Sequence, residues 1–289
     1  MSSNFKSVGL VVRSDMQDRQ EKIQQVVAVL SRHASVVVHC LDFDQPVSGV
    51  SNVSLEQLVE EADLVITLGG DGTLLTAARA LADVDTPLLG INLGRLGFLA
   101  DVSFEHFESY LDAVMQGRYS VDERFLIQGH FYDHDKLIAR NYALNDIILH
   151  SYESSSMIEY EISSGGALIH IQRSDGVIVT TPTGSTAYAL SGGGPIMHPS
   201  LNTLAIVPIC PHTLSNRPIV LPADQSIEVR LGQDSLQAKV SYDGHSTTIV
   251  NQDNRVLITR YPKPLRLLHP EDYDYFQVLR GKLYWSANY

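Results

Sequence analysis

At the end of an apolar run the sequence carries Gly69-Gly70-Asp71-Gly72-Thr73, a single carboxylate set among glycines. Three glycines permit positive φ and let a backbone come close to a phosphate, which a Cβ would obstruct. A loop that only held phosphate would gain nothing from Asp71, because a carboxylate repels the anion. Asp71 suits phosphoryl chemistry instead: it can take a proton from an attacking hydroxyl, or help hold a divalent metal that neutralises phosphate charge. The spacing does not separate these roles, and a tight turn with Asp71 capping the next helix is the plain alternative. No lysine follows the glycines, so this is not the P-loop pattern. A second glycine turn, Gly90-Ile91-Asn92-Leu93-Gly94 with Gly97, makes no convincing dinucleotide fingerprint and reads equally well as a connection between domains.

A longer segment, residues 173–196 (RSDGVIVTTPTGSTAYALSGGGPI), is dense in small hydroxyls and glycine around one aromatic, Tyr188. Such a segment can wrap a nucleotide, with hydroxyls and amides on its polar edges and the ring against a base. Asn145 and Asp146 interrupt an apolar strand running from Tyr142 to Leu149; they match a ribose diol or mark an exposed strand edge. Asp243-Gly244-His245 reads first as a hairpin turn. His170, His198, His212 and His269 show no metal or triad spacing and are expected to be structural. Cys40 and Cys210 stand far apart with no CxxC, so two small buried thiols are expected rather than a disulfide or zinc site.

The elements that must position these residues change character along the chain. Residues 6–13, 35–39, 63–68 and 87–91 read as strands, alternating with helical patterns over 15–31, from Ser54, over 73–81 and from Ser103 to about Gln116. Gly117 is a plausible helix stop. This β-α alternation predicts a parallel, helix-covered sheet over 1–117, and the Asp71 turn falls where a strand enters a helix. From 118 to 268 the period is two, at 158–162, 168–172, 177–181, 227–231, 237–242 and 256–260, so this half is β-rich. Tyr273, Phe276, Leu279, Leu283 and Trp285 give the tail 269–289 an irregular helical spacing that can pack back on the first domain.

With 289 residues and a net charge of -12, the chain can bury two cores and is a poor partner for nucleic acid. No apolar run approaches the roughly 20 residues needed to span a bilayer. No signal or transit peptide is written at the N-terminus, and a cytoplasmic protein with no membrane partner is expected.

GGDGT (69–73), GINLGRLGFL (90–99), ALND (143–146), the segment 173–196 and PHTLSNRPIVLP (211–222) together, and in this order, resemble bacterial NAD kinases. The resemblance extends to HPEDYDYF (269–276), and 173–196 is its most specific part, since GGDGT also occurs in lipid and sugar kinases. It implies an α/β domain followed by a β-sandwich-like domain, with NAD held between them and between subunits of a homodimer or homotetramer. ATP would donate the phosphoryl group with Mg2+ or another divalent metal, and the product would be NADP. By the same resemblance Asp71 is the catalytic carboxylate near the adenosine ribose 2′-hydroxyl, in a turn with Gly69, Gly70, Gly72 and Thr73. Asn145, Asp146, Arg173, Asp175, Thr186, Ala187, Tyr188, Ser191 and His245 match the family's NAD-binding positions; no metal ligand is assigned. Asp146 replaces the usual Glu, and His245 stands where Gln is common. A lipid or sugar kinase, or a dinucleotide sensor without turnover, are the alternatives.

Overall fold

A computed structural model of the chain describes all residues except 1–3, 14–16, 42–46, 95–96, 153–156, 214, 234, 236 and 286–289, and the side chains of 17–19 and 246. The chain divides into two compact units, Met1–Glu123 with Leu265–Tyr289, and Arg124–Pro264.

The first unit runs β1 (Ser7–Val12), α1 (Gln17–Leu30), β2 (Ser35–Cys40), β3 (Ser51–Asn52), α2 (Leu55–Glu61), β4 (Leu64–Gly69), α3 (Asp71–Ala80), β5 (Leu88–Asn92), β6 (Val102–Ser103) and α4 (Phe107–Met115). Five of these strands are parallel neighbours in the order β5-β4-β1-β2-β3. Every residue of β4 and β5 is buried, which is why LVITLG and LLGIN are continuous apolar runs rather than alternating ones. The chain leaves β1 towards β2 and β3, then returns on the other side of β1 as β4. In such sheets ligands bind beyond the carboxyl ends of the strands at this reversal. The carboxyl end of β4 is Gly69.

Helix α1 buries Ile23, Val26 and Leu30 of its expected stripe and α4 buries Phe107, Leu111 and Val114, while the expected Val27 and Phe104 are only part-buried. The expected single helix from Ser103 begins as a 3-10 turn over Phe104–His106 before α4. Gly117 ends it at φ +83, where a Cβ would be strained. Ser54 caps α2 through the Gln57 N–H at 3.2 Å. The final helix, Tyr275–Leu283, is part of this unit. Of its expected apolar residues Leu279 is buried, whereas Phe276 and the following Trp285 are exposed.

The chain then continues as β7 (Ser120–Asp133), β8 (Lys136–Ala143), β9 (Asp146–Ser151), β10 (Ile158–Ser164), β11 (Ala167–Ser174), β12 (Gly176–Thr180), α5 (Tyr188–Ser191), β13 (Thr203–Ile209), β14 (Ile219–Pro222), β15 (Ile227–Leu231), β16 (Ala238–Tyr242), β17 (His245–Val250) and β18 (Asn254–His269). In the second unit one antiparallel sheet has the order β14-β13-β12-β9-β16-β17. A second is built on β11-β10-β15-β18, with β7 pairing β18 and β8. Alternate residues of the first sheet, among them Ile147, Leu149, Val177, Val179, Val240 and Tyr242, share one core with Tyr160, Ile162, Val229 and Ile258 of the second. Period-two strands therefore close into a sandwich. The outer face of the six-stranded sheet, with Ile148, Ile178, Ala205 and Val207, packs on Ala189 and Met197.

Three expectations are corrected. Asn145 and Asp146 do not interrupt one strand: β8 ends at Ala143, β9 starts at Asp146, and the polar pair marks the bend between them. Both are buried, which also removes the exposed-edge alternative. The thiols are not buried: Cys40 is half-buried, and Cys210 is exposed at left-handed φ just past the end of β13. Gly69, Gly70 and Gly72 are absent from the positive-φ positions, so the Asp71 turn does not rest on left-handed glycine. Gly69 is needed for space instead, because a Cβ there would overlap the Thr73 side chain.

Candidate functional site

Strand β4 delivers the glycine turn directly into α3, whose N-cap is Gly70 and whose first residue is Asp71. Asp71 makes no capping bond. Its carboxylate turns to the segment after the second glycine motif: Oδ2 accepts the Phe98 N–H at 2.9 Å, while Oδ1 accepts those of Leu99 at 3.2 Å and Ala100 at 3.1 Å. A carboxylate has about four lone-pair positions. Donors among the described residues take three of them, one on Oδ2 and two on Oδ1. A Cβ at Gly70 or Gly72 would meet nothing within 4 Å, so the outer surface of the turn is open to an incoming group. The turn thus combines an open backbone, the amino end of a helix and one oriented carboxylate oxygen, a set that can position a phosphate and receive a proton.

In the second unit a cavity of about 720 Å3 opens over the outer face of the six-stranded sheet, and Asn145, Asp146, Asp175, Ala187 and Tyr188 are among its lining residues. The rest of its wall was not legible in the sequence. Ile148 and His150 reach it because residues 146, 148 and 150 alternate to one face of β9, while Ile147 and Leu149 enter the core. Ser241 and Asp243 line it by the same alternation against core-facing Val240 and Tyr242. Gly244, Thr247, Ser151, Ile209 and Cys210 complete it.

Asn145 is 9 % exposed, and its Oδ1 has no hydrogen-bond partner among the described residues. A buried amide oxygen left unpaired on a cavity wall calls for a donor from a ligand or water. Asp146, 3 % exposed, has its carboxyl pushed up to about 7, first by burial and second by the charge of Asp243. Near neutral pH it exists in both forms and can donate as well as accept. Burial also lowers His150, which favours its neutral imidazole.

Asp243 explains how the bend is held. It occupies the β16–β17 turn at φ 51 with Gly244 at φ 71, the two left-handed positions of a tight hairpin. Its carboxylate accepts the N–H groups of Leu144 at 3.0 Å, Asn145 at 2.8 Å and Asp146 at 3.2 Å. The hairpin turn expected from sequence therefore also fixes the polar pair.

Several hydroxyls of 173–196 donate to backbone carbonyls within the protein. Thr180 Oγ1 donates to the Asn145 carbonyl at 3.0 Å and Thr181 Oγ1 to that of Leu144 at 2.6 Å. Ser185 ties Pro182 to Met197, and Thr186 Oγ1 donates to the Thr183 carbonyl. Gly184 lets this turn press on the bend, since a Cβ there would overlap the Asn145 carbonyl oxygen. Tyr188, 48 % exposed, lines the cavity. Thr186, Ser191 and His245 do not line it. Arg173 lines a different cavity, with Glu159, His170, Gln172 and His212. The histidines expected to be structural are in part so: buried His269 bonds Asp101 through Nδ1 at 2.8 Å, and His198 bonds Ser200, but His170 Nε2 has no hydrogen-bond partner among the described residues.

Residues 8–119 match the family model of the ATP-NAD kinase N-terminal domain, and 144–269 that of the ATP-NAD kinase C-terminal domain. The chain is 43 % identical to the NAD kinase of Pseudoalteromonas translucida, covering 99 % of both chains. It is 42 % identical to that of Nitrosomonas europaea, over 99 % of this chain and 97 % of the relative. Among solved structures it resembles yeast NADH kinase complexed with NADH, with a TM-score of 0.88 and 25 % identity over 98 % of this chain and 89 % of that one. It also resembles an NAD kinase from Archaeoglobus fulgidus in complex with ATP, with a TM-score of 0.74 and 28 % identity over 96 % and 98 %.

Proposed function

The chain belongs to the NAD kinase family, and on that premise we propose how its own residues carry the ATP-dependent conversion of NAD to NADP. The 2′-oxygen of the adenosine ribose bonds to the γ-phosphorus of ATP as the bond to the β,γ-bridging oxygen breaks, and ADP leaves. The hydroxyl proton passes to Asp71 Oδ2, which accepts one backbone N–H where Oδ1 accepts two. The open glycine turn and the amino end of α3 receive phosphate.

NAD is held in the second unit. The observation that carries this assignment is the unpaired, buried Asn145 Oδ1 on the cavity wall beside Asp146. A ribose hydroxyl donates to Asn145, Asp146 donates or accepts according to its protonation, and Tyr188 with Ile148 and Ile209 supplies apolar surface for a ring. Asp175 and Ala187 complete the contact set, and Arg173, Thr186, Ser191 and His245 join it through the resemblance of their motifs.

A divalent metal such as magnesium, bound with the nucleotide, would neutralise its phosphate charge. Among the described residues no group of three or more His, Cys, Asp or Glu forms a metal cage. The enzyme works as a homo-oligomer. No helix among the described residues is long and apolar enough to cross a membrane, and the protein is assigned to the cytoplasm.

The test is a product assay with purified protein, NAD, ATP and magnesium, repeated with Asp71→Asn. NADP forms with the wild type. The variant retains NAD affinity in calorimetry but loses turnover by roughly two to four orders of magnitude, the usual contribution of a positioned acid or base. Undiminished turnover in Asp71→Asn would remove that residue from the chemistry.

A further inference from the structure

We propose that the far end of the second glycine motif, Gly97 to Ala100, is a backbone cradle that aims Asp71 rather than a second phosphate-binding turn, with Gly97 as its positioning residue. The inference rests on the role assigned to Asp71 above.

Two glycines of the motif are required by close approaches, and neither approach is to open space. At Gly97 a Cβ would overlap Asp71 Oδ1 and stand 2.7 Å from Asp71 Cγ. No rotation of the alanine methyl relieves this, so the carboxylate would be pushed off its three donors. At Gly90 a Cβ would lie 2.8 Å from the Cα and 2.9 Å from the Cβ of Ala100, so this glycine admits the end of the cradle against β5. Gly94 differs: a Cβ there would meet only Asn92 Oδ1, at 3.9 Å.

The cradle is fixed independently of Asp71. The Gly97 N–H donates to the Ala100 carbonyl at 3.1 Å, closing a turn that points the amides of 98, 99 and 100 to one side. Asn92, buried at the end of β5, reaches the same carbonyl through Nδ2 at 3.5 Å and accepts the Gly94 N–H at 2.7 Å. The next residue, Asp101, is anchored on buried His269 at 2.8 Å, and His269 stacks on Tyr273. Asp71 therefore meets preset donors, the arrangement that keeps a reacting oxygen in one direction. An anion would have to compete with the carboxylate for these same amides, which disfavours phosphate at this turn.

Steady-state kinetics on wild type, Gly97→Ala, Gly94→Ala and Asp71→Asn test this, with circular dichroism and thermal melting of each. A displacement on the order of 1 Å costs about a hundredfold in rate. The expected result is a loss of that order in kcat for Gly97→Ala, with KM for NAD and ATP nearly unchanged, and wild-type kinetics for Gly94→Ala. If Gly97→Ala instead raises KM for ATP and keeps kcat, the motif binds phosphate and the cradle is overturned. Wild-type kinetics in Gly97→Ala also overturn it while leaving the role of Asp71 standing, provided Asp71→Asn is inactive. Full activity in Asp71→Asn sinks that role itself. Should Gly97→Ala not fold, hydrogen exchange in Asp71→Ala reads the same contacts: amides 98–100 lose their acceptor and exchange faster, and unchanged exchange overturns the cradle.

Discussion

Asp146 is the residue whose ordinary chemistry the fold alters most usefully. Its carboxyl titrates near 7 rather than 3.8, because burial disfavours the anion and Asp243 adds like charge. Below about pH 4 both folded and unfolded chains carry the proton, and the group leaves stability unaffected by pH. Between about 4 and 7 the unfolded chain has lost the proton while the folded one keeps it, so stability falls as pH rises; above about 7 the cost is constant. Asp146→Asn removes the titration. The melting temperature of the variant relative to wild type is therefore expected to rise from pH 4 to pH 7 and then level off. A difference that stays flat over that range would mean Asp146 ionises normally in the folded protein.

At the scale of elements, the bend between β8 and β9 depends on a carboxylate 97 to 99 residues away. Removing Asp243 leaves up to three buried N–H groups unpaired, each worth roughly 1–3 kcal/mol. Asp243→Ala is expected to lower the stability of the second unit by about 3 kcal/mol or more, measured by urea unfolding, and to weaken NAD binding because Asn145 and Asp146 lose their support. Asp243→Asn, which tolerates left-handed φ and keeps one acceptor oxygen, should lose less. Equal losses in the two variants would mean the carboxylate is not what holds the bend.

These two elements also show what sequence could and could not reveal. Period-two alternation located the strands, and once Asp146 is placed on the cavity it points to Ile148 and His150 on the same face of β9. The bend itself was hidden because Tyr142–Leu144 and Ile147–Leu149 are apolar on both sides of it, so an interrupted strand and two strands have the same pattern. The tie from Asp243 was hidden by sequence distance. Composition also cannot distinguish a hydroxyl that faces a ligand from one that bonds a backbone carbonyl, and Thr180, Thr181 and Ser185 prove to be of the second kind. For Asp71 the residue was legible but its restraint was not, since the three amides at 98–100 are seen only when β4 and β5 lie side by side.

For the whole molecule, the surface of the second unit bears on self-association. Strand β11 stands at the edge of its sheet, and on it Leu168 is 57 % and Ile171 58 % exposed. An apolar edge strand left open is a site for pairing with another chain, and a symmetric contact through it would give a closed dimer. The net charge of -12 opposes association at long range and is screened by salt, so assembly should strengthen as ionic strength rises. Sedimentation equilibrium of the 31.9 kDa chain is expected to return at least twice that mass. Ile171→Asp, which puts a charge on the exposed edge without touching the sandwich core, should shift the distribution towards 31.9 kDa while the melting of the isolated chain is retained. A wild type that sediments as a single chain would refute self-association. A variant that keeps the full assembly mass would place the contact on another face.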